Sequence, residues 1–487
     1  MSKKSSEKNE VATLSMWTVV YLIVVPTFGF GNITTNIVNL GQSSIPSWFI
    51  VSIFFFLPLS LIIAELSSVK NAGSAGIYTW IKIGMGDKWA FIGTWSYFVS
   101  TLFFLQMVFA RFPILVSWAL YGENRFTDES AYWIPYLSIV ICVFLTWFAS
   151  TGVKSFSKVN DLGGKFVMVC TAAFLIFAFV GFFIGHPSAT EFTAEEIIPD
   201  FDTSYFATFS WLLFSVTGAE VGGTYVKNMK NPKKDFPRAV MLSTLLIGAT
   251  YVIGSIATLL VASPEQIAYA GVKEASYVVY RMLAEQFGLN GKLIIQIYAI
   301  INGISWITCY CIWMESPIRA LFSEVPEGTF PKFLTKQEKD GTLKNALWVQ
   351  CAVVVFLIVI PLFGMQGLDA FFTTVLNLSS LSAIPAYAIL VISYLVYRKN
   401  RNRPETDYTA FKSNTAALLV GGAAVVICVL GYFGAGLDYF IWAETKAEAI
   451  SNMLTTYGGP LVLIFAGILL RSWSLKHYNK KNTLAKQ

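Results

Sequence analysis

Charge is scarce in this chain: only 13% of its 487 residues are Asp, Glu, Lys or Arg, and 55% are hydrophobic. Ordinary soluble domains carry about a quarter charged residues, so a water-exposed surface of usual composition is excluded. Histidine is rarer still, with His186 and His477 standing alone. Six cysteines (Cys142, Cys170, Cys309, Cys311, Cys351, Cys428) all lie in apolar stretches, and no pair of CxxC motifs is present. That spacing argues against a metal site or a disulfide framework and predicts small core residues. No cofactor is expected. HExxH, a GxSxG–His arrangement and glycine-rich phosphate loops are also missing, which disfavours an enzyme.

What the chain has is apolar length. Its mean hydropathy is +0.59, and twelve apolar runs recur, each long enough to cross about 30 Å of hydrocarbon. They fall at 14–39, 48–67, 90–120, 131–150, 165–184, 204–225, 239–262, 292–320, 346–364, 370–396, 414–434 and 456–473. The first thirteen residues are polar, and the first span lacks a small-residue cleavage pattern, so no cleavable signal peptide is expected. With the N-terminus inside, the inner segments hold 29 of the 35 Lys and Arg, and the outer loops hold Arg125, Lys273, Arg281, Lys292 and Lys446. Only Arg111 lies well inside a span. This asymmetry predicts cytoplasmic N- and C-termini. The net charge of +6 is then orientation signal and lipid contact, not a nucleic-acid footprint.

Two stretches between spans read as structured. Tyr277, Tyr280, Leu283 and Phe287 recur at helical spacing, predicting a short outer helix over 276–287, and Ile77 to Ile83 reads as a brief amphipathic segment before the third span.

Two spans are interrupted by glycine at matching ordinal places. The first carries Gly29-Phe30-Gly31 just after Pro26, and the sixth carries Thr217-Gly218-Ala219-Glu220-Val221-Gly222-Gly223. An open backbone group is tolerated in hydrocarbon only where it lines a cavity or ligand. Paired breaks in two halves of a polytopic chain point to a midplane substrate site, hence to a transporter. Five spans per half invert the second half relative to the first. The expected fold is therefore an all-α integral membrane protein with twelve transmembrane helices in a five-plus-five inverted repeat, leucine-transporter-like. The expected layout is a tail over 1–13, one transmembrane domain over 14–473 (repeats 14–185 and 204–397, two further helices over 414–473) and a basic tail over 474–487.

Amides uncovered at Gly29, Phe30, Gly31 and Asn32, at the positive end of a half-helix dipole, suit a carboxylate. Carbonyls uncovered near Phe214 and Thr217, beside Gly218, suit an ammonium. The bland alternative is that these glycines only let helices pack closely. Glu220 sits in the second break, where it couples protons, contacts a substrate amine, or holds the unwound segment in shape. Arg111 and Glu315 are the other costly intramembrane charges, readable as a structural ion pair with each other. Glu65 and Arg319 end their spans near the inner face, as an inner gate or as a snorkelling pair. Trp313 lies mid-span beside Glu315, placed to close over a substrate or to hold an amine by cation–π attraction.

These residues resemble the amino acid–polyamine–organocation superfamily, and within it the glutamate/GABA antiporter branch, over roughly 12–473. Gly29-Phe30-Gly31 stands where the family has Gly-Ser-Gly. Ala64-Glu65-Leu66 with Gly73-Ser74-Ala75-Gly76-Ile77-Tyr78-Thr79-Trp80 resembles its helix 2–3 signature. Gly218-Ala219-Glu220 with Val226-Lys227-Asn228-Met229-Lys230-Asn231-Pro232 and Phe236-Pro237-Arg238-Ala239 resembles its helix 6–7 signature. The resemblance implies a broken-helix amino-acid exchanger in which Phe214 is the helix 6 aromatic gate. It also implies that Trp313 is the substrate-facing tryptophan of the similar arginine/agmatine antiporter. Lys165 opens the fifth span, as a topology anchor or as a positive charge where sodium-coupled relatives hold a cation. The chain departs from the pattern at Phe30, at Phe214 (a larger indole in that relative) and in a tail of about sixteen residues after Arg471, too short for the C-terminal plug of the glutamate/GABA antiporter.

The expected function is exchange of an amino acid for a related one or its decarboxylation product by alternating access at the cell membrane. Proton-coupled symport, polyamine transport and, from another class, a channel are the competing readings. Expected partners are a small amino-acid or amine substrate and membrane lipid, with a second copy of the chain as a homodimer partner.

Overall fold

The computed structural model describes residues 14–70, 76–126, 132–223, 226, 229–360, 368–437, 443 and 445–484; among these the chain is helical, with two isolated backbone bridges and no strand. The expectations placed on 1–13, on Gly73-Ser74-Ala75 and on Lys227-Asn228 lie outside the described residues.

In chain order the helices are α1 (Met16–Thr27), α2 (Phe30–Leu40), α3 (Ser44–Val51), α4 (Leu57–Ser67), α5 (Ile77–Tyr121), α6 (Trp133–Ala149), α7 (Val153–Phe183), α8 (Ala194–Ile197), α9 (Thr203–Ser215) and α10 (Ala219–Gly223). They continue as α11 (Pro232–Val261), α12 (Pro264–Gln286), α13 (Gly291–Phe322), α14 (Lys332–Thr335), α15 (Lys344–Val359), α16 (Leu368–Lys399), α17 (Asn414–Gly434), α18 (Lys446–Met453) and α19 (Gly459–Leu484). A π-turn over Ser52–Phe56 joins α3 to α4.

Among the described residues, eight helical stretches are long and apolar enough to cross a membrane. They differ from the twelve expected spans at identifiable places. Met16–Ser67 forms one 52-residue stretch covering two expected spans. Trp133–Ala149 and Lys344–Val359 are apolar but shorter, and the sixth span is divided by its break into pieces of 13 and 5 residues. The two structured stretches between spans are present. Ile77 begins α5, which turns at Gly86 (φ 78°) before running on through the expected third span, and the outer helix becomes the longer α12, bent at Gly271 (φ 72°). The last helix runs on to Leu484, so most of the basic tail is helical.

Helix α5 is the packing axis, lying against α16 and α13, while α1 packs on α11 and α7, and α12 covers α2. The connecting segments are tied to one another by polar contacts. Gln42 donates to the Glu191 carbonyl (2.8 Å), and Asn124 donates to Glu274 (2.6 Å). Lys70 pairs with Glu405 (2.7 Å), Lys233 with Asp407 (2.8 Å), and Thr79 donates to Glu324 (3.1 Å).

The segment after α16 is clipped to the end of α4. Lys70 N–H donates to the Glu405 carbonyl (2.9 Å) and Asp407 N–H to the Ser68 carbonyl (3.1 Å). Beneath them Glu65 and Arg398 form an ion pair at 3.2 Å, both almost fully buried. The Tyr394 hydroxyl (2.9 Å) and the Ala410 amide (3.0 Å) also donate to Glu65, so this buried carboxylate keeps a full set of partners. The expected Glu65–Arg319 gate pair is therefore corrected: Glu65 belongs to Arg398, and Arg319 donates through Nε (2.9 Å) and Nη2 to Glu315, one turn back on α13. The same contact replaces the Arg111–Glu315 pairing. Spacing along one helix places i and i+4 side by side, and Glu315–Arg319 is such a pair.

Candidate functional site: a chamber between two helix breaks

Proline lacks an amide donor and crowds the preceding turn; α1 ends one residue after Pro26. Phe28 (ψ 125°) and Gly29 (φ −138°, ψ 127°) are extended, and α2 restarts at Phe30. The amides of Phe30 and Gly31, the first two of α2, have no intrahelical acceptor, as at any helix start, whereas the Asn32 amide, expected to be uncovered, is occupied: it donates to the Gly29 carbonyl at 2.9 Å. Gly31 borders open space, since a Cβ built on it meets nothing within 4 Å.

The second break runs through Val216, Thr217 and Gly218, between α9 and α10. Gly218 has φ 140°, a conformation that residues with a side chain rarely adopt. Its Cα also lies so close to Thr27 that an added Cβ would stand 1.9 Å from the Thr27 hydroxyl. The two breaks thus touch through Gly218 and Thr27.

Tyr251 of α11 joins them. Its hydroxyl donates toward the carbonyls of Thr27 (2.9 Å) and Ser215 (3.1 Å) and accepts from Asn32 Nδ2 (2.9 Å). Its ring stacks on Trp48 at 4.1 Å. Sequence reasoning missed Tyr251, because a tyrosine on an unbroken span carries no local signal of these partners. Tyr251→Phe keeps the stack and removes the hydroxyl. Each buried group so stranded costs about 1–3 kcal/mol, and substrate uptake is expected to fall by roughly tenfold or more, the equivalent of about 1.4 kcal/mol. Uptake in proteoliposomes alongside a melting curve checks it.

A chamber of about 130 Å³ opens beside the breaks. Gly29, Phe30, Gly31, Asn32, Phe214, Thr217, Trp313 and Arg111, all expected site residues, line it. Phe214 and Trp313 are bridged by Phe104, whose ring lies 5.6 Å from Phe214 and 5.0 Å from Trp313. Phe104 is the second residue that sequence reasoning missed. Trp313 is buried, and its indole donates to the Pro26 carbonyl at 3.0 Å, so its polar edge holds the first break open. Phe30 packs edge-on against Phe174 (4.7 Å) and Tyr280 (4.9 Å).

Four further expectations change. The Phe214 carbonyl is occupied, accepting from Thr217 Oγ1 (2.7 Å) and Thr217 N–H (3.1 Å). Glu220 is absent from the described lining; its carboxylate accepts from the Gly218 amide (3.0 Å) and the Tyr387 hydroxyl (2.8 Å). Of its three expected roles, this geometry is that of holding the unwound segment. Lys165 is exposed and outside the lining, while its neighbour Gly164 packs on Tyr21. Glu65, Glu315 and Arg319 also lie outside the lining, in the two ion pairs already described.

Glu220→Gln tests that role. A glutamine oxygen can still accept from Gly218, and its NH₂ can donate to Tyr387. Uptake is expected to stay within about threefold of wild type, whereas Glu220→Ala, which strands the Gly218 amide, loses ~1–3 kcal/mol of stability. Uncoupled or abolished uptake by a well-folded Glu220→Gln would instead assign the carboxylate to proton transfer.

Among the described residues no cluster of three or more His, Cys, Asp or Glu could hold a metal, and all six cysteines are unbridged thiols. Comparison with known proteins supplies what geometry cannot. The amino acid permease family profile matches residues 14–465. The aspartate/glutamate permease AcaP of Lactococcus lactis subsp. cremoris (strain MG1363) is 26% identical over 480 residues, 96% of each chain. The inner membrane transporter YjeM of Escherichia coli (strain K12) is 23% identical, covering 93% of this chain and 94% of its own. A glutamate/gamma-aminobutyrate antiporter of Lactococcus lactis subsp. lactis (strain IL1403) is 21% identical over 78% of this chain and 75% of its own. A helical, multi-pass membrane protein whose family consists of transporters, the chain belongs to the amino acid permeases of the amino acid–polyamine–organocation superfamily.

Proposed function

We propose that the protein is a secondary active amino-acid exchanger working by alternating access in the cell membrane. The observation that carries this reading is that two helix breaks, stapled by Tyr251, border one chamber. The substrate α-carboxylate binds the first amides of α2 at Phe30 and Gly31, where the helix dipole adds positive potential. The ammonium lies toward the turn at Val216–Thr217 and the buried Thr27 hydroxyl, which has no hydrogen-bond partner among the described residues. Phe214, Phe104 and Trp313 form the aromatic wall that occludes the occupant. Twelve spans in a five-plus-five inverted repeat, with both termini cytoplasmic, give the breaks their pseudo-two-fold relation. The basic segments and the family support this arrangement.

Exchange is favoured over proton symport by the likeness to antiporters and by the placement of Glu220 away from the chamber. Counterflow in proteoliposomes tests it. Saturable uptake accelerated by internal amino acid is the expected result. Uptake driven by a proton gradient without internal amino acid would mean symport, and a flux that never saturates would mean a channel.

A further inference from the structure

We propose that Cys142 and Cys351 form a buried dithiol that peroxide converts to a disulfide, a stabilising bond between α6 and α15. The two residues lie 209 positions apart in the chain, yet their sulfurs meet at 3.7 Å where those helices pack together. Both side chains are buried, and neither lines the chamber between the breaks. The pair therefore stands outside the transport site, and its chemistry does not depend on what is transported. Bonded sulfurs stand about 2.0 Å apart, so side-chain rotation with a small helix shift closes the gap.

Contact between the sulfurs decides what oxidation produces. Hydrogen peroxide is small and uncharged, so it enters apolar surroundings. One sulfur, as thiolate, attacks a peroxide oxygen. The O–O bond breaks, a sulfenic acid forms, and the departing hydroxide takes the thiol proton as water. The second sulfur then attacks the sulfenic sulfur. The S–S bond forms, the S–O bond breaks, and the hydroxyl leaves as a second water with the second thiol proton. Each sulfur gives up one electron and the peroxide takes both. Burial disfavours the thiolate and slows the first step, but the second is a reaction between neighbours already in contact. A disulfide is thus favoured over further oxidation to sulfinic acid. Cys428 is buried as deeply on α17 and serves as the internal comparison.

Helices α6 and α15 both pack on α5 and α13 as well as on each other, so the bond links elements that already form one group. Linking residues so far apart in sequence removes much of the freedom of the unfolded chain. The bridged protein is expected to resist unfolding better than the dithiol form.

The experiment treats the purified full chain with hydrogen peroxide, removes the excess with catalase, then denatures and alkylates without reductant. Wild-type protein is expected to lose two of its six alkylatable thiols and to yield one peptide pair joined through Cys142 and Cys351, which dithiothreitol separates. Its melting temperature should rise by several degrees and return on reduction. Cys142→Ala and Cys351→Ala should each lose no thiol to disulfide formation. Six alkylatable thiols after peroxide, a bridge at other cysteines, or Cys142 recovered as sulfinic acid would overturn the dithiol. A bridged protein that melts no higher than the reduced form would overturn the stabilising bond. If either variant fails to fold, the wild-type peptide map and melting curve decide alone.

Discussion

Gly31→Ala is expected to abolish transport while leaving the protein as stable as wild type or slightly more so. The substitution adds a methyl where the backbone faces open chamber, with nothing within 4 Å to clash with. Gly31 is the second residue of α2, and replacing glycine by alanine inside a helix contributes about 0.5–1 kcal/mol of stability. The methyl occupies the approach of a carboxylate to the amides of Phe30 and Gly31, so substrate affinity should fall more than tenfold. Affinity by thermal shift and uptake in proteoliposomes separate the two effects. Unchanged uptake would mean that nothing approaches this backbone.

Gly218→Ala is expected to do the opposite and damage the fold. At φ 140° a side chain is strained by about 1–3 kcal/mol. In addition its Cβ would stand 1.9 Å from the Thr27 hydroxyl, so one break must move away from the other. Low membrane yield and a melting temperature lowered by several degrees are the expected readouts, with no uptake from what remains. Adding Thr27→Ala removes the clash but not the φ strain. The double variant should therefore recover part of the stability, and a full recovery would show that the backbone conformation is not needed. The pair of glycine substitutions thus tests two functions of one residue type: access at the first break and contact at the second.

Several features of this geometry are legible in the sequence because they depend on local chemistry. Helix α17 begins and ends at the residues bounding its apolar run, and α13 and α11 start or stop within a few residues of theirs. Pro26 with Gly29, and Gly218 with its neighbours, mark the two breaks where they occur. Partners across the fold are another matter. Glu65, Glu315, Arg319 and Arg111 are identifiable as buried charges needing compensation, but their partners depend on which helices touch. Arg398 reads as one of several basic residues closing a span, yet it is the residue buried against Glu65. Tyr251 and Phe104 were illegible for the same reason, since both act through elements far apart in the chain. Glu220 was legible as a member of the break but not in its direction, because a side chain two residues past Gly218 can turn either into the cavity or back onto the Gly218 amide.

The central claim is that one amino acid lies between the two breaks, its α-carboxylate on the α2 amides. A density map of the protein with an amino acid bound tests this most directly. The account predicts the carboxylate within hydrogen-bond distance of the Phe30 and Gly31 amides and the amine toward Val216–Thr217. A ligand seated elsewhere, or a first span wound without interruption through Gly29, would contradict it.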